Sequence, residues 1–393
     1  MAVGLLIDFE LTEEQIALRD KARKFAVEEV LPVSKKYDRT GDFPRETIEK
    51  AFKAGLMNLG IPREYGGLGY GAFEQVLVVE EMAAACAGIT TSVYVNDLGA
   101  KPIILMGTEA QKRRFLAPLT EQLRFVSFAT SEPGMGSDVA GLQATCEQDG
   151  DYYVLNGDKF FITNGDYADV FVIFARLKGT KRHQGICAFV VPRETEGLSM
   201  GTPLVKLGHR ASDTATVMLR NARVPAENII GGEGKGFLLA MLTFMHTRPA
   251  IGAMATGLAR SAMEYAINYA KQREAFEQKI ANFQAVQQMI ADMYARVEAM
   301  RLLTWKAAWL LDHGQDANIA SSCAKLVGSE DAMRIVTDAL QVYGGRGYLE
   351  NYAIAKLFRD AKLYQIYEGT SQVQRYVISR YLFEEYQPIL KGF

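Results

Sequence analysis

Arg124-Phe125-Val126-Ser127-Phe128-Ala129-Thr130-Ser131-Glu132-Pro133-Gly134-Met135-Gly136-Ser137-Asp138 is the stretch where the chain changes character. Before it, apolar residues recur at helical spacing, whereas Phe125 to Ala129 reads as a strand. The residues that follow crowd Ser, Thr and Gly into one loop. Glycines let backbone N–H groups approach a ligand and hydroxyls can donate to it, although a solvent-facing loop has the same composition.

On the N-terminal side, Leu11-Thr12-Glu13-Glu14-Gln15 predicts a helix start, with Thr12 as cap and Gln15 reaching back. Leu18, Ala22, Phe25, Ala26 and Val30 continue it as an apolar stripe, and Pro32 with Gly41-Asp42-Phe43-Pro44 punctuates its end. A second helix from Glu46 to Ala54 stops at Gly55, and Pro62 to Gly69 is a loop. Helices return over 74–87 and 89–105, and Gly107-Thr108-Glu109-Ala110-Gln111 repeats the capping pattern.

On the C-terminal side, Asp151 to Leu155 and Lys159 to Thr163 flank Asn156-Gly157, a hairpin signal. Residues 170–175, 186–191 and 215–219 are further short β-rich runs, and a glycine-rich run from Gly231 to Gly236 closes the section. From Phe237 the pattern is helical again. Val286, Met289, Ile290, Met293, Val297 and Met300 keep a 3.6-residue period, predicting a helix over 283–311 on the order of 40 Å long. Gly314 ends it, and helical segments follow over 319–342, 353–365 and 372–383. The expected fold class is therefore α+β: an N-terminal α-helical domain (1–124), a middle β-domain (125–236) and a C-terminal four-helix-bundle-like domain (237–393).

Composition narrows the function classes. The 393 residues are 49% hydrophobic and 23% charged, which excludes a disordered chain. A net charge of −2 provides no field to gather nucleic acid or anionic lipid, and no apolar run approaches the roughly 18 residues that span a bilayer. Met1 to Ile7 lacks a basic segment and a cleavage site, and acidic residues follow at once, so a cytoplasmic location is expected. Cys86, Cys146, Cys187 and Cys323 form no CxxC, the reading of a reducing compartment. His183, His209, His246 and His313 have no helical ligand spacing, so no metal is expected.

Three more segments exceed a structural reading. Phe160-Phe161-Ile162-Thr163-Asn164-Gly165 places an aromatic two residues before Thr, on one face of a strand, where a ring could be stacked and a heteroatom bonded. Gln341-Val342-Tyr343-Gly344-Gly345-Arg346-Gly347-Tyr348 carries more glycines than a helix cap needs. In Ile366-Tyr367-Glu368-Gly369-Thr370-Ser371-Gln372, Ser371 with Gln374 suggests a capping box. Glu368 then lies just before a helix N-terminus, either complementing the dipole or serving as a positioned general base.

With these motifs in this order over nearly its whole length, the chain resembles the acyl-CoA dehydrogenase family, flavoproteins that oxidise acyl-CoA thioesters to 2-enoyl-CoA. The resemblance implies FAD as cofactor, an acyl-CoA substrate, an electron-transferring flavoprotein as acceptor, and a homotetramer built as a dimer of dimers. It implies that Phe128, Thr130, Ser131, Gly136 and Ser137 line the flavin, with Ser137 also touching the CoA moiety. Phe161 would lie against the isoalloxazine, where many relatives have Trp, with Thr163 near N5. Arg273, Phe276, Phe283 and Gln284 match the pattern that holds the adenosine diphosphate half of FAD from a neighbouring subunit, and Gln341, Gly344 and Gly345 complete it. Thr370 and Gln372 join the cofactor set, and Glu277 stands where a Gly is usual.

Glu368 matches the catalytic base, and its backbone N–H would bind the thioester oxygen. Arg248 matches an arginine near the base and the thioester, flanked by Thr247, where some relatives carry an alternative Glu. Met245 replaces a common Asp, and Tyr367 and Gly369 complete the substrate set with Arg248. Thr90, Thr91, Tyr94 and Asp97 stand where the acyl pocket is lined. Tyr94 is bulky enough to shorten the pocket. Asp97 reads either as a surface or helix-capping carboxylate or as a polar group facing the acyl chain. Short-to-medium, branched or cyclic acyl groups are the expected substrates. The alternatives are an oxygen-using oxidase of the same fold, or a non-catalytic flavin- or CoA-binding module.

Overall fold

A computed structural model describes residues 10–387; the N-terminal reading over Met1 to Ile7 lies outside the described residues. In chain order, the N-terminal helices are α1 (Glu13–Phe25), α2 (Leu31–Thr40), α3 (Arg45–Lys53), α4 (Ala72–Ala85), α5 (Ala87–Met106), α6 (Glu109–Phe115) and α7 (Ala117–Glu121). The strands β1 (Val126–Ala129), β2 (Thr145–Asp149), β3 (Tyr152–Thr163), β4 (Val170–Leu177), β5 (Ile186–Pro192), β6 (Leu198–Met200), β7 (Thr214–Pro225) and β8 (Ile229–Ile230) follow. The rest is α8 (Gly236–Gln272), a small hairpin of β9 (Glu274–Ala275) and β10 (Gln278–Lys279), α9 (Gln284–Asp312), α10 (Asn318–Tyr343), α11 (Ala353–Tyr364) and α12 (Ser371–Glu384). Helices, then strands, then helices is the order the sequence predicts.

These elements gather into two compact units, each assembled from separated stretches. One comprises residues 25–70 and 86–244. Its sheet runs β6-β7-β3-β2-β4-β5-β8, with β1 parallel to β4. β5 is buried along almost its whole length and β4 from Phe171 to Ala175, so these stretches read as continuous apolar runs rather than alternating ones. The other unit comprises residues 10–24, 71–85 and 245–387. There α10 packs against α9, α11 and α12, and α4 packs on α9. Glu81 of α4 is buried between Arg23, at 2.9 Å, and Arg260, at 2.7 Å, so its charge is paired on both sides.

The capping readings hold at two starts. Thr12 and Gln15 bond reciprocally (3.1 and 3.2 Å), as do Thr108 and Gln111. Three local readings need correction. Pro32 does not end the first helix. Helical backbone continues through a π-helical turn over Ala26–Val30, where the Leu31 N–H bonds the Ala26 carbonyl, and this widened turn precedes Pro32; left-handed Gly41, the other half of the expected stop, terminates α2. Asn156-Gly157 is not a hairpin turn. β3 runs straight through it, with a register shift against β7 between Leu155 and Gly157. Gly157 has φ +140°, and a Cβ there would lie 2.7 Å from Ala144 Cα, so the glycine serves a bulge and a close approach. The hairpin lies earlier, where Asp149 pairs with Tyr152 across Gly150-Asp151. Finally, the cap of α12 is Thr370, which accepts from the Val373 N–H at 3.1 Å, while Ser371 is buried at the first helical position.

Candidate active site

The Thr130–Ser137 segment follows β1 directly and is pinned from beneath. Glu132 and Met135 exchange two backbone hydrogen bonds (2.9 and 3.1 Å), which close a tight turn over Pro133-Gly134. The Glu132 carboxylate turns inward and accepts from the Gln143 N–H (2.5 Å), the Ala144 N–H (2.9 Å) and the Lys159 ammonium (2.8 Å). Lys159, fully buried on β3, also donates to the Thr130 carbonyl at 3.2 Å. Burial pushes the Lys159 ammonium below its ordinary range, while Glu132 opposes that shift. No feature of the sequence reading singled out Lys159 or Glu132, because a lone lysine in an apolar strand ordinarily marks the exposed face.

Next to Lys159, the Phe160 N–H donates to the Ser131 carbonyl at 2.8 Å. A second register shift against β7 falls between Lys159 and Ile162, and there Phe161 adopts φ +61°. The alternation that would put Phe161 and Thr163 on one face is interrupted at this point, so that expectation does not follow from strand parity. A left-handed phenylalanine is a costly backbone state, and it holds a ring that is 63% exposed. Phe128 differs: it is buried, with its ring 5.0 Å from Phe174 and 5.5 Å from Phe244.

The loop and bulge suit an extended ligand with a flat ring and polar arms. A Cβ at Gly134 or Gly136 would meet nothing within 4 Å, leaving the backbone open to approach. Thr130, Ser131, Ser137 and Thr163 supply hydroxyls, and Phe161 supplies an exposed ring. A flavin needs these features, and the residues present fit one.

In the same unit, Thr90, Thr91, Tyr94 and Asp97 are all buried along α5. Thr91 Oγ1 lies 3.1 Å from His209 Nδ1. Asp97 is not a surface carboxylate: its Oδ1 accepts from the Gly60 N–H at 2.7 Å, and burial pushes its carboxyl up. The groove lined by Arg114, Phe115, Leu119, Arg124 and Arg193 holds none of the predicted site residues.

Glu368 lies in the other unit, in the turn between α11 and α12. Glu368 and Gly369 are both left-handed, with φ +56° and +88°. Glu368 Oε2 accepts from Thr247 Oγ1 at 3.3 Å. The buried Arg248 guanidinium donates through Nε to the Glu368 carbonyl and through Nη1 to Ser322 Oγ, both at 3.4 Å. Burial pushes the Glu368 carboxyl up to about 7, against the lowering influence of Arg248, the Thr247 hydrogen bond and Lys325. Arg248 itself is pushed down by burial and held up by Glu368. Thr247, read from sequence only as the absence of a second base, is a hydrogen-bond donor to Glu368. Met245 offers its carbonyl to Ser321 Oγ at 2.9 Å.

Arg273, Phe276 and Glu277 form the β9–β10 hairpin region of this unit. The two turn residues, Phe276 (φ +51°) and Glu277 (φ +63°), are left-handed, the geometry for which glycine or asparagine is usual. The turn holds Phe276 89% exposed, edge-on to Phe283 at 6.1 Å. Gln284, Gln341, Gly344 and Gly345 are exposed as well.

Three family models match the chain: "Acyl-CoA dehydrogenase, N-terminal domain" over residues 12–122, "middle domain" over 127–222 and "C-terminal domain" over 234–383. A short-chain-specific acyl-CoA dehydrogenase of Clostridium acetobutylicum is 40% identical over 379 residues, covering 96% of this chain and all of that one. Butyryl-CoA dehydrogenase of Megasphaera elsdenii superposes with a TM-score of 0.94 at 37% identity, over 96% of this chain and 100% of its own. A chain from a structure titled for the electron transferring flavoprotein of Acidaminococcus fermentans gives 0.94 at 39% identity, with the same coverage of both chains.

Proposed function

The chain belongs to the acyl-CoA dehydrogenase family, FAD-dependent oxidoreductases acting on CH–CH groups, and we propose that it desaturates a short-to-medium, branched or cyclic acyl-CoA with Glu368 as the base. The observation that carries this reading is the environment of Glu368. A carboxyl pushed up to about 7 binds a proton well enough to take one from carbon yet is ionised near neutrality, the compromise a general base requires. A thioester α-proton is weakly acidic, so the developing enolate needs stabilisation. The left-handed turn frees the Glu368 N–H, which donates to no backbone acceptor among the described residues, for the thioester oxygen. Arg248 bonds the carbonyl of the same residue, so base and oxyanion donor belong to one anchored residue.

FAD, when bound, supplies the acceptor for the β-hydride. Phe128, Thr130, Ser131, Gly136, Ser137, Phe161 and Thr163 would hold its flavin end, and Ser137 would also touch CoA. Arg273, Phe276, Phe283, Gln284, Gln341, Gly344 and Gly345 would hold the adenosine diphosphate end of a neighbour's FAD in a dimer of dimers, and Thr370 and Gln372 would also contact the cofactor. The support is Phe276, an apolar ring held almost wholly exposed on a left-handed turn. An electron-transferring flavoprotein would take the electrons, in keeping with the structure titled for that partner. Toward the substrate, Tyr94 would limit chain length beside Thr90 on α5, while Met245, Tyr367 and Gly369 would belong to the substrate set of the other unit.

The test is kcat/KM for butyryl-, octanoyl-, cyclohexanecarbonyl- and palmitoyl-CoA with an artificial electron acceptor. Turnover of a shorter or cyclic substrate above palmitoyl-CoA supports the reading. Palmitoyl-CoA as best substrate overturns the chain-length part, and no turnover of any acyl-CoA overturns the reaction.

A further inference from the structure

Lys325 sits on α10, fully buried, and donates to the Gly369 carbonyl at 2.6 Å. That carbonyl also accepts from Gln374 Nε2 at 3.0 Å, and Gln374 reaches the Glu368 carbonyl at 3.3 Å. The peptide carrying the base is thus held at both carbonyls, by Arg248 and Gln374 at residue 368 and by Lys325 and Gln374 at residue 369. Two consecutive left-handed residues, one of them a glutamate, do not hold that shape unaided. Gln374 already satisfies the Gly369 carbonyl at ordinary length, so burying an ammonium there is costlier than the bond alone requires.

We propose that Lys325 is a positioning residue for Glu368: its buried ammonium clamps the Gly369 carbonyl, holds the left-handed turn and thereby aims the carboxylate at the reacting carbon. This rests on the reading of Glu368 as base. The charged groups facing Lys325 are Glu368 from the turn, Arg248 from α8 and Glu330 from α10 itself, the last bonded to Arg375 of α12 at 3.0 Å. Burial pushes Lys325 down to about 7, with Glu368 and Glu330 opposing and Arg248 reinforcing the shift. In its protonated form the clamp places a positive charge that stabilises the Glu368 carboxylate, and losing that charge raises the pH at which the base ionises.

The test compares Lys325→Gln, Lys325→Arg and Lys325→Met with the unmodified FAD-loaded enzyme, using the best acyl-CoA of the panel. FAD content, KM, kcat and the pH profile of kcat/KM are read, with Glu368→Gln as control. Lys325→Gln keeps a donor without the charge. It is expected to retain FAD and KM within about twofold, to lose roughly tenfold or more in kcat at pH 7, and to move the acid limb up by about one pH unit. Lys325→Arg should return the limb toward its original midpoint, and Lys325→Met should lose more kcat than Lys325→Gln. Unchanged kcat and midpoint in Lys325→Gln overturn the proposal. So does a kcat loss with an unmoved midpoint in both Lys325→Gln and Lys325→Arg, and so does loss of FAD from Lys325→Gln, since either outcome assigns Lys325 to packing. Turnover by Glu368→Gln above a few per cent overturns the base assignment itself. An inactive Glu368→Gln beside an unaffected Lys325→Gln overturns the Lys325 role alone.

Discussion

Lys159 and Lys325 are both fully buried, and each donates to the carbonyl of a residue in a predicted site segment, Thr130 in one case and Gly369 in the other. Their surroundings differ. Lys159 has a carboxylate at 2.8 Å, and that carboxylate also accepts from two backbone N–H groups. Among the described residues, Lys325 has only the Gly369 carbonyl oxygen at bonding distance, with its charge balanced at longer range by Glu368 and Glu330 and opposed by Arg248. An ion pair of the first kind fixes a loop, because its two charges meet at contact distance and backbone donors hold the carboxylate in place. The second arrangement leaves charge uncommitted beside the one carboxylate that has to change protonation. The comparison separates burial that builds a scaffold for a ligand from burial that tunes a reacting group.

The largest effect expected on either side of this contrast is at Glu368. Glu368→Gln preserves shape and backbone donors but cannot accept a proton, so kcat should fall by about 10²–10⁴-fold with FAD content unchanged. Stopped-flow reduction by acyl-CoA reads this directly, and equal loss of FAD would place Glu368 in the scaffold class instead. Next is Lys159→Met, which strands Glu132 without its cation and should cost about 3–5 kcal/mol in urea unfolding, with faster release of FAD. The double variant Lys159→Met/Glu132→Met should recover most of that stability, and failure to recover would mean that the backbone bonds of Glu132, not the charge pair, carry the cost.

The pH dependence sharpens the same contrast. Because the Glu368 carboxyl is raised from its ordinary value to about 7, the active carboxylate form is lost as pH falls through 7, so the acid limb of kcat/KM should have its midpoint near 7. A midpoint near 4.5 would show that bound FAD or solvent relieves the burial of the carboxyl. Smaller changes are expected on α5. Tyr94→Ala should raise kcat/KM for octanoyl- over butyryl-CoA by about 1–3 kcal/mol in apparent discrimination. Asp97→Ala should leave the chain-length profile alone and cost about 1–2 kcal/mol of stability, since it removes the acceptor of the Gly60 N–H. A changed profile there would give Asp97 a role toward the acyl group.

Several features were legible in the residues themselves. Thr12 with Gln15 and Thr108 with Gln111 cap helices because the partners lie three residues apart and need nothing from the rest of the fold. The order of helical and β-rich segments is equally local, since it rests on hydrophobic period. Asn156-Gly157 misled because a glycine with unusual φ serves a turn and a bulge alike, and only the neighbouring Ala144 decides which. The surface alternative for Asp97 failed because burial depends on what lies opposite, here the Gly60 N–H some 37 positions away in sequence.

The sequence by itself determined the helix–β–helix order, the local caps and, through motifs in their family order, the residues to examine for flavin and thioester. Tertiary structure alone decided how those residues are held. Lys159 reaches Glu132 across 27 positions, and Lys325 reaches Gly369 across 44. Thr247 meets Glu368 across 121. No periodicity encodes such pairs, because each depends on elements that become neighbours only when the apolar faces of their units are buried. The proton affinity of Glu368 follows for the same reason, since removing water and fixing Arg248, Thr247 and Lys325 around a carboxyl are consequences of packing.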